Sequence, residues 1–356
     1  MSRATRPLSS DVSSPALSVL DLVPVREDQS TSDALAASRS LARRADDLGL
    51  RRYWVAEHHN MPSVAATNPA VLISMLAAAT DRLRVGSGGV MLPNHAPLVV
   101  AEQFALLEAA HPGRIDLGIG RAPGSDPVTS WALRTGSGIG PDAVNDFPDH
   151  VRHVLAMMSP EGVALDLRGQ EYALRATPQA RSRPPVWLLG SSDYSARLAA
   201  QEGLPYVFAH HFSGQGTAEA LALYRESFRP SAHAERPTTF LTVNACVADT
   251  AEEAERLARP YLLAMVALRT GQPMRAQASV EKAEAVDLPP AHQQVYDAMR
   301  ARWVVGDRET ARGEVTALAE RFGVDEVMIH PVAGEHDGAD VTLSAGRTRT
   351  LELLAG

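Results

Sequence analysis

Four stretches decide the architecture: RRYWVAEHHN at 51–60, TNPAVLISMLAAAT at 67–80, DRLRVGSGGVML at 81–92 and HPGRIDLGIG at 111–120. The first, third and fourth hold short apolar runs that read as strands over 52–58, 83–92 and 114–120. The second has helical spacing over 68–80. Asn68 can cap it, and Pro69 sits in the first turn, where a missing N–H costs nothing. A further helix over 97–110 separates the third strand from the fourth. Strands this uniformly apolar, alternating with helices, predict a parallel sheet covered by helices.

The same alternation continues in both directions. Upstream lie a strand at 17–25 and a helix at 32–48, closed by Gly49. Downstream come a loop-rich insertion at 121–141, a helix at 142–158 and a polar excursion with a hairpin near 165–174. Strands at 185–190, 206–210, 240–248 and 324–330 follow, with helices at 194–202, 218–227, 250–268 and from Asp307 to 321. Residues 270–300 read as irregular and partly helical. Eight strands predict an α/β fold of the (β/α)8 TIM-barrel type with insertions, one domain over 16–356. Residues 1–15, rich in Ser, Arg and Pro, read as a disordered tail.

Composition narrows the function classes. A hydrophobic share of 45% over 356 residues suffices for a large core, and the net charge of −8 disfavours a nucleic-acid surface. No apolar run is long enough to span a bilayer, and the first residues lack the apolar stretch of an export signal. The one cysteine, Cys246, cannot form an internal disulfide, which fits a reducing compartment and a cytoplasmic location. Its apolar surroundings read as core.

The polar residues gather at the C-terminal strand ends, where barrels of this type carry their chemistry. These are Glu57-His58-His59, Gly86 to Gly89, Gly118 to Arg121, Gly190-Ser191-Ser192, His210-His211 and His330. One polar strand end is ordinary; six on one rim imply a site. The opposite ends read as plain. Glu57 and His58 are either solvated loop residues or a proton carrier and its partner. A metal site is disfavoured, because adjacent strand residues face opposite ways and no His-x-His pair occurs on a strand. Gly88-Gly89 is either a bulge or a place where a flat ring approaches the backbone. The run from Gly118 to Gly124 has the wrong spacing for a dinucleotide fingerprint, and Pro123 interrupts the helix start; GSGIG at 136–140 follows no strand. Arg121 suits an anionic group, since its guanidinium matches phosphate. Gly190, Ser191 and Ser192 precede a helix, so they form a phosphate cradle or an ordinary N-cap by Ser192 or Asp193.

Taken together, the string from RRYWVAEHHN to RIDLGIGRAPGSD resembles the bacterial luciferase-like flavin monooxygenases, closest to the single-chain alkanal-monooxygenase-like members. The resemblance implies a barrel that binds reduced FMN, or in some branches coenzyme F420. It implies that His58, with Glu57, serves the chemistry, and that Gly88-Gly89, often with a non-proline cis peptide, supports the ring. Arg121 and Ser191-Ser192 match positions that contact the cofactor phosphate. The expected activity is a two-component monooxygenase using O2 and reduced FMN from a separate flavin reductase, on a small aldehyde- or ketone-like substrate, in a homodimer. An F420-dependent hydride-transfer enzyme and a non-catalytic flavin-binding protein are the alternatives. Gly120 stands where the light-emitting enzymes carry a reactive cysteine, so light emission and a long-chain aldehyde are not expected.

Overall fold

The computed structural model describes residues 14–122, 126–135 and 142–356. Eight strands close into a parallel barrel: β1 (Ala16–Asp21), β2 (Arg52–Val55), β3 (Arg84–Ser87), β4 (Ile115–Gly120), β5 (Val186–Gly190), β6 (Tyr206–Phe208), β7 (Thr239–Val247) and β8 (Glu326–Pro331). Each pairs in parallel with the next, and β8 returns to β1 with Val19 opposite Ile329. β4 therefore faces β8 across the barrel.

Period-2 alternation sorts the strand residues into two layers. Val19, Tyr53, Val85, Leu117 and Ile329 turn outward into the shell of helices. Leu20, Trp54, Trp187, Val207, Phe240 and Met328 turn inward and fill the lumen. Trp54 meets Trp187 and Phe240 at ring-centre distances of 5.7 and 5.2 Å, near edge-to-face, an arrangement aromatic quadrupoles favour. The plug leaves the upper barrel free for a cavity.

Among the surrounding helices, α1 (Thr31–Asp47) starts with a capping box between Ser30 and Asp33. α2 (Pro69–Ala77) is capped by Asn68, as the sequence predicts. α3 (Pro97–Ala110) leads into β4. The helix Arg308–Phe322 is capped by Asp307, and the hairpin pairs Val163–Leu167 with Gln170–Leu174.

Several expectations are corrected. The first strand ends at Asp21, since Val23 has φ 50° and Pro24 follows. The second ends at Val55, which places Glu57 and His58 on the loop beyond it. The third is split: after Ser87 the Gly88–Gly89 peptide is cis, and Val90–Met91 resumes pairing against β4. His210 and His211 belong to a one-turn helix, His210–Ser213. The insertion contains the helix Pro127–Arg134, and the next helix begins at Phe147. Two elements were not expected: Val304–Gly306, which pairs with β7, and the helix Ala345–Ala355. Most of the expected tail, and the GSGIG run at 136–140, lie outside the described residues.

The reading of the N-terminal strand ends as plain is overturned. There Arg52 bridges Glu326 and Asp116 at 2.7 and 2.9 Å, and Arg84 reaches Asp116 at 2.6 Å, all largely buried. Trp54 Nε1 donates to the same Asp116. These residues fall on four different strands, and only closure of the barrel makes them neighbours.

Candidate active site

A cavity of about 440 Å³ opens at the C-terminal ends of the strands, within the range of small-molecule and cofactor sites. Its walls are largely apolar, with Leu20, Trp54, Val207 and Met328 as the floor. His58, Gly88, Gly89, Arg121, Gly190, Ser191 and Ser192 all line it. Residues more than a hundred positions apart thus share one space.

Glu57 is buried and fully engaged. His59 Nε2 and His95 Nε2 lie 2.8 and 2.7 Å from its Oε1, and the Met91 amide donates to Oε2 at 2.9 Å. Burial pushes this carboxyl up, but the three hydrogen bonds win and hold it at about 2. Glu57 therefore stays charged and pins its own loop to the segment after the cis peptide. His95 is the partner that sequence reasoning missed.

His58 is half-buried. Its backbone N–H donates to the Ala66 carbonyl, while its Nδ1 is buried with no hydrogen-bond partner among the described residues. Ser63 Oγ, also on the cavity wall, is in the same state. Burial lowers the His58 pKa against the opposing pull of Glu57, so the imidazole is neutral near pH 7. Unpaired buried polar atoms cost free energy unless something bonds to them.

At the rim the Arg121 guanidinium stacks over the Tyr194 ring at 3.9 Å, which orients its N–H groups. Ser191 and Ser192 stand just before the helix Asp193–Glu202. Ser192 holds the N-cap position, yet its side chain makes no capping hydrogen bond. The ordinary-cap reading therefore leaves its hydroxyl unassigned. Asp193 does not line the cavity. A cation, two hydroxyls and a helix N-terminus together suit a phosphate.

Across from Arg121, the ends of β6, β7 and β8 contribute His211, Thr242, Asn244 and His330, with Tyr261 beside them. The polar Thr242 and Asn244 alternate with apolar residues in TVNAC, a period-2 signal that could have shown them facing the lumen. Cys246 is buried and its thiol is pushed well up by that burial, as a core cysteine should be. No group of three or more His, Cys, Asp or Glu among the described residues is placed to hold a metal ion, and none of the described helices is long and apolar enough to cross a membrane.

A closed barrel with an apolar cavity over its strand ends, a guanidinium and two hydroxyls on one wall and, on another, a buried imidazole nitrogen without a partner among the described residues has the architecture of a cofactor-using barrel enzyme. The comparisons identify which. The family described as luciferase-like monooxygenase matches residues 16–326, and the chain belongs to it. A luciferase-like monooxygenase of Escherichia coli is 41% identical over 321 residues, covering 90% of this chain and 92% of that protein. The N-acetyl-S-alkylcysteine monooxygenase of Bacillus subtilis is 32% identical, covering 88% and 91%. Apo-MsnO8 superposes with a TM-score of 0.82 at 35% identity, covering 96% and 97%. Two structures share the fold at lower identity. They are the oxygenating constituent of 3,6-diketocamphane monooxygenase from Pseudomonas putida in complex with FMN (18%, TM-score 0.69, covering 96% and 97%) and an F420-dependent secondary alcohol dehydrogenase (14%, 0.63, covering 96% and 99%).

Proposed function

We propose that this protein is a two-component flavin-dependent monooxygenase, taking reduced FMN from a separate reductase and oxygenating a small organic substrate in the cytoplasm. The observation that carries the reading is the convergence of Arg121, Ser191, Ser192, the Gly88–Gly89 backbone and His58, whose Nδ1 has no partner among the described residues, on one apolar cavity. Family membership and the monooxygenases among its relatives support it.

The residues present fit FMN. Arg121, Ser191 and Ser192 would hold its phosphate, and the backbone at Gly88–Gly89 would support the ring. Bound there, reduced FMN supplies the two electrons that let one oxygen atom of O2 enter the substrate while the other leaves as water. The apolar walls exclude bulk water from the reacting atoms. His58 accepts or returns a proton at Nδ1, a role that its neutral state near pH 7 permits. Glu57, with its oxygens already bonded, acts as a positioning residue for the His58 loop.

The test is a parallel titration of the purified protein with FMN, reduced FMN and F420, followed by oxygen uptake with a flavin reductase and a panel of aldehydes, ketones and thioethers. FMN binding is expected, and Arg121→Ala should weaken it by about tenfold or more through loss of a charge-assisted contact. His58→Ala should bind FMN normally yet lose roughly 10²- to 10⁴-fold in turnover. Binding of F420 in place of FMN would move the assignment to hydride transfer. Unchanged turnover in His58→Ala would remove His58 from the chemistry.

A further inference from the structure

We propose that His211 and His330 form the substrate-recognition end of this cavity, presenting two Nε2 lone pairs, at least one of which accepts a hydrogen bond from a hydroxyl or N–H of the substrate. The inference rests on the reading of the cavity as the site of a redox enzyme and names the class of molecule it takes.

Hydrogen-bond partners around the pair fix the tautomer of His330 and restrict that of His211 to two arrangements. The Asn244 amide Nδ2 donates to the His211 carbonyl at 2.7 Å. Its Oδ1 must then be the atom facing His330 Nδ1 at 2.8 Å. An amide oxygen only accepts, so His330 carries its proton on Nδ1. The Thr242 hydroxyl has one proton, and two acceptors compete for it: the Phe208 carbonyl at 3.2 Å and His211 Nδ1 at 2.9 Å. With the proton on the Phe208 carbonyl, the arrangement this proposal takes, Thr242 accepts from His211, and His211 is also the Nδ1–H form. In each neutral ring the remaining nitrogen, Nε2, is an acceptor.

Both rings are neutral near pH 7. Burial, with help from His210 and His58, lowers His211 to about 4. Burial, His211 and Arg347 push His330 well below its usual value, and Asp21 opposes this only in part. The ring centres lie 6.0 Å apart, nearly perpendicular, and Tyr261 packs edge-on to His330 at 5.1 Å. The Tyr261 hydroxyl can donate or accept and does not itself select a class.

This end is poorly suited to anions. Arg347 also lines the cavity, but its charge is compensated by Asp21, to which Nη2 is bonded at 2.5 Å, and its Nε donates to the Pro331 carbonyl. Against the two Nε2 atoms themselves, a carboxylate or a bare carbonyl oxygen would bring lone pairs against lone pairs. A substrate hydroxyl or N–H satisfies one of these acceptors, and an amino or second hydroxyl group would satisfy the other. A site built to bond such a group rejects analogues that lack it, because its own buried polar atoms are left unpaired. The substrate class thus shifts from a simple aldehyde or ketone to a largely apolar molecule with a neutral hydrogen-bond donor.

The experiment uses full-length protein labelled with ¹⁵N at histidine and three probes of matched shape: benzyl alcohol, benzaldehyde and benzoate. Long-range ¹H–¹⁵N correlation reads each tautomer, and His211→Phe and His330→Phe assign the signals. Both rings are expected in the Nδ1–H form. Benzyl alcohol should shift at least one Nε2 signal and bind about tenfold more tightly than benzaldehyde, with benzoate weakest. Each Phe variant should erase most of the alcohol preference. An Nε2–H tautomer in both rings, no binding of the alcohol, or equal binding of alcohol and aldehyde to the wild type would overturn the proposal, even if neither variant folds. FMN titration of the same samples separates the two readings. Lost FMN binding with the alcohol preference intact would sink the flavin assignment alone, and the reverse would sink this subsite alone.

Discussion

Glu57 shows how a residue legible as special can be special for a different reason than its neighbour. The sequence displays Glu57 and His58 as one pair, but a loop beyond β2 gives them separate surroundings. Glu57 Oε1 receives two imidazoles and Oε2 a backbone amide, whereas His58 Nδ1 receives nothing among the described residues. His95 lies 38 positions away in sequence, so no spacing rule could have joined it to Glu57. A stability prediction follows from the charge. The Glu57 pKa falls from 4.5 when free to about 2 in the fold. A depressed carboxyl stabilises above its unfolded pKa and loses that contribution as pH falls through the folded one. The window is therefore about pH 4.5 down to 2, and the contribution is roughly 3 kcal/mol. Glu57→Gln should lower the unfolding free energy in urea by about 2–3 kcal/mol at neutral pH, because a neutral amide replaces the charge-assisted hydrogen bonds of the carboxylate. The gap between variant and wild type should narrow toward pH 3. A gap that stays constant with pH would mean that the carboxylate charge is not what matters.

At the level of elements, the barrel was readable because each strand is short, apolar and bounded by helix signals. What escaped reading depends on close approach between chain segments. β3 and β4 come so near that a Cβ on Gly118 would lie 2.1 Å from the Ser87 carbonyl oxygen. Ser87 Oγ donates to the Gly118 carbonyl there, at 2.8 Å. Two positions on, Gly120 is different: its nearest neighbour for a Cβ is the Val90 carbonyl oxygen at 4.0 Å, and the residue lines the cavity. The sequence GIG presents the two glycines as equals. Gly118→Ala should cost about 1–3 kcal/mol or more by forcing the strands apart, seen as a lower melting temperature. Gly120→Ala should melt within a degree or two of wild type while weakening FMN binding severalfold, since its methyl points into open cavity space. If Gly120→Ala proved the more damaging to stability, the placement of Gly120 beside open cavity space and of Gly118 against β3 would be wrong. The missed strand Val304–Gly306 is three residues long. The missed helix Ala345–Ala355 turns Arg347 inward onto Asp21, so polarity was a poor guide to which side is buried.

For the molecule as a whole, charge and apolar surface are distributed unevenly in a way that bears on assembly. Ion pairs that a small protein would place outside are enclosed at the floor of the barrel, where Arg52, Arg84, Asp116 and Glu326 interlock. Conversely, α2 contains no charged residue at all. It packs beside α3, and their outward faces expose Val71, Met75, Val99 and Leu106, the last at 58% of its full area. Surface helices of a monomer normally turn charge to water, and adjoining apolar faces mark an interface. The resemblance implies a homodimer, and this is the surface we propose for it: a two-fold contact in which α2 and α3 of one copy meet the same helices of the other. Burial of four such side chains on each copy would remove from water the area that no described element of this chain covers. The chain should then sediment as a dimer at micromolar concentration. Leu106→Glu places a charge opposite its own symmetry mate or in the apolar contact, and should shift the protein to monomer while its circular dichroism stays unchanged. A wild-type chain that sediments as a monomer at these concentrations would refute the dimer, and a dimer that survives Leu106→Glu would move it to another face.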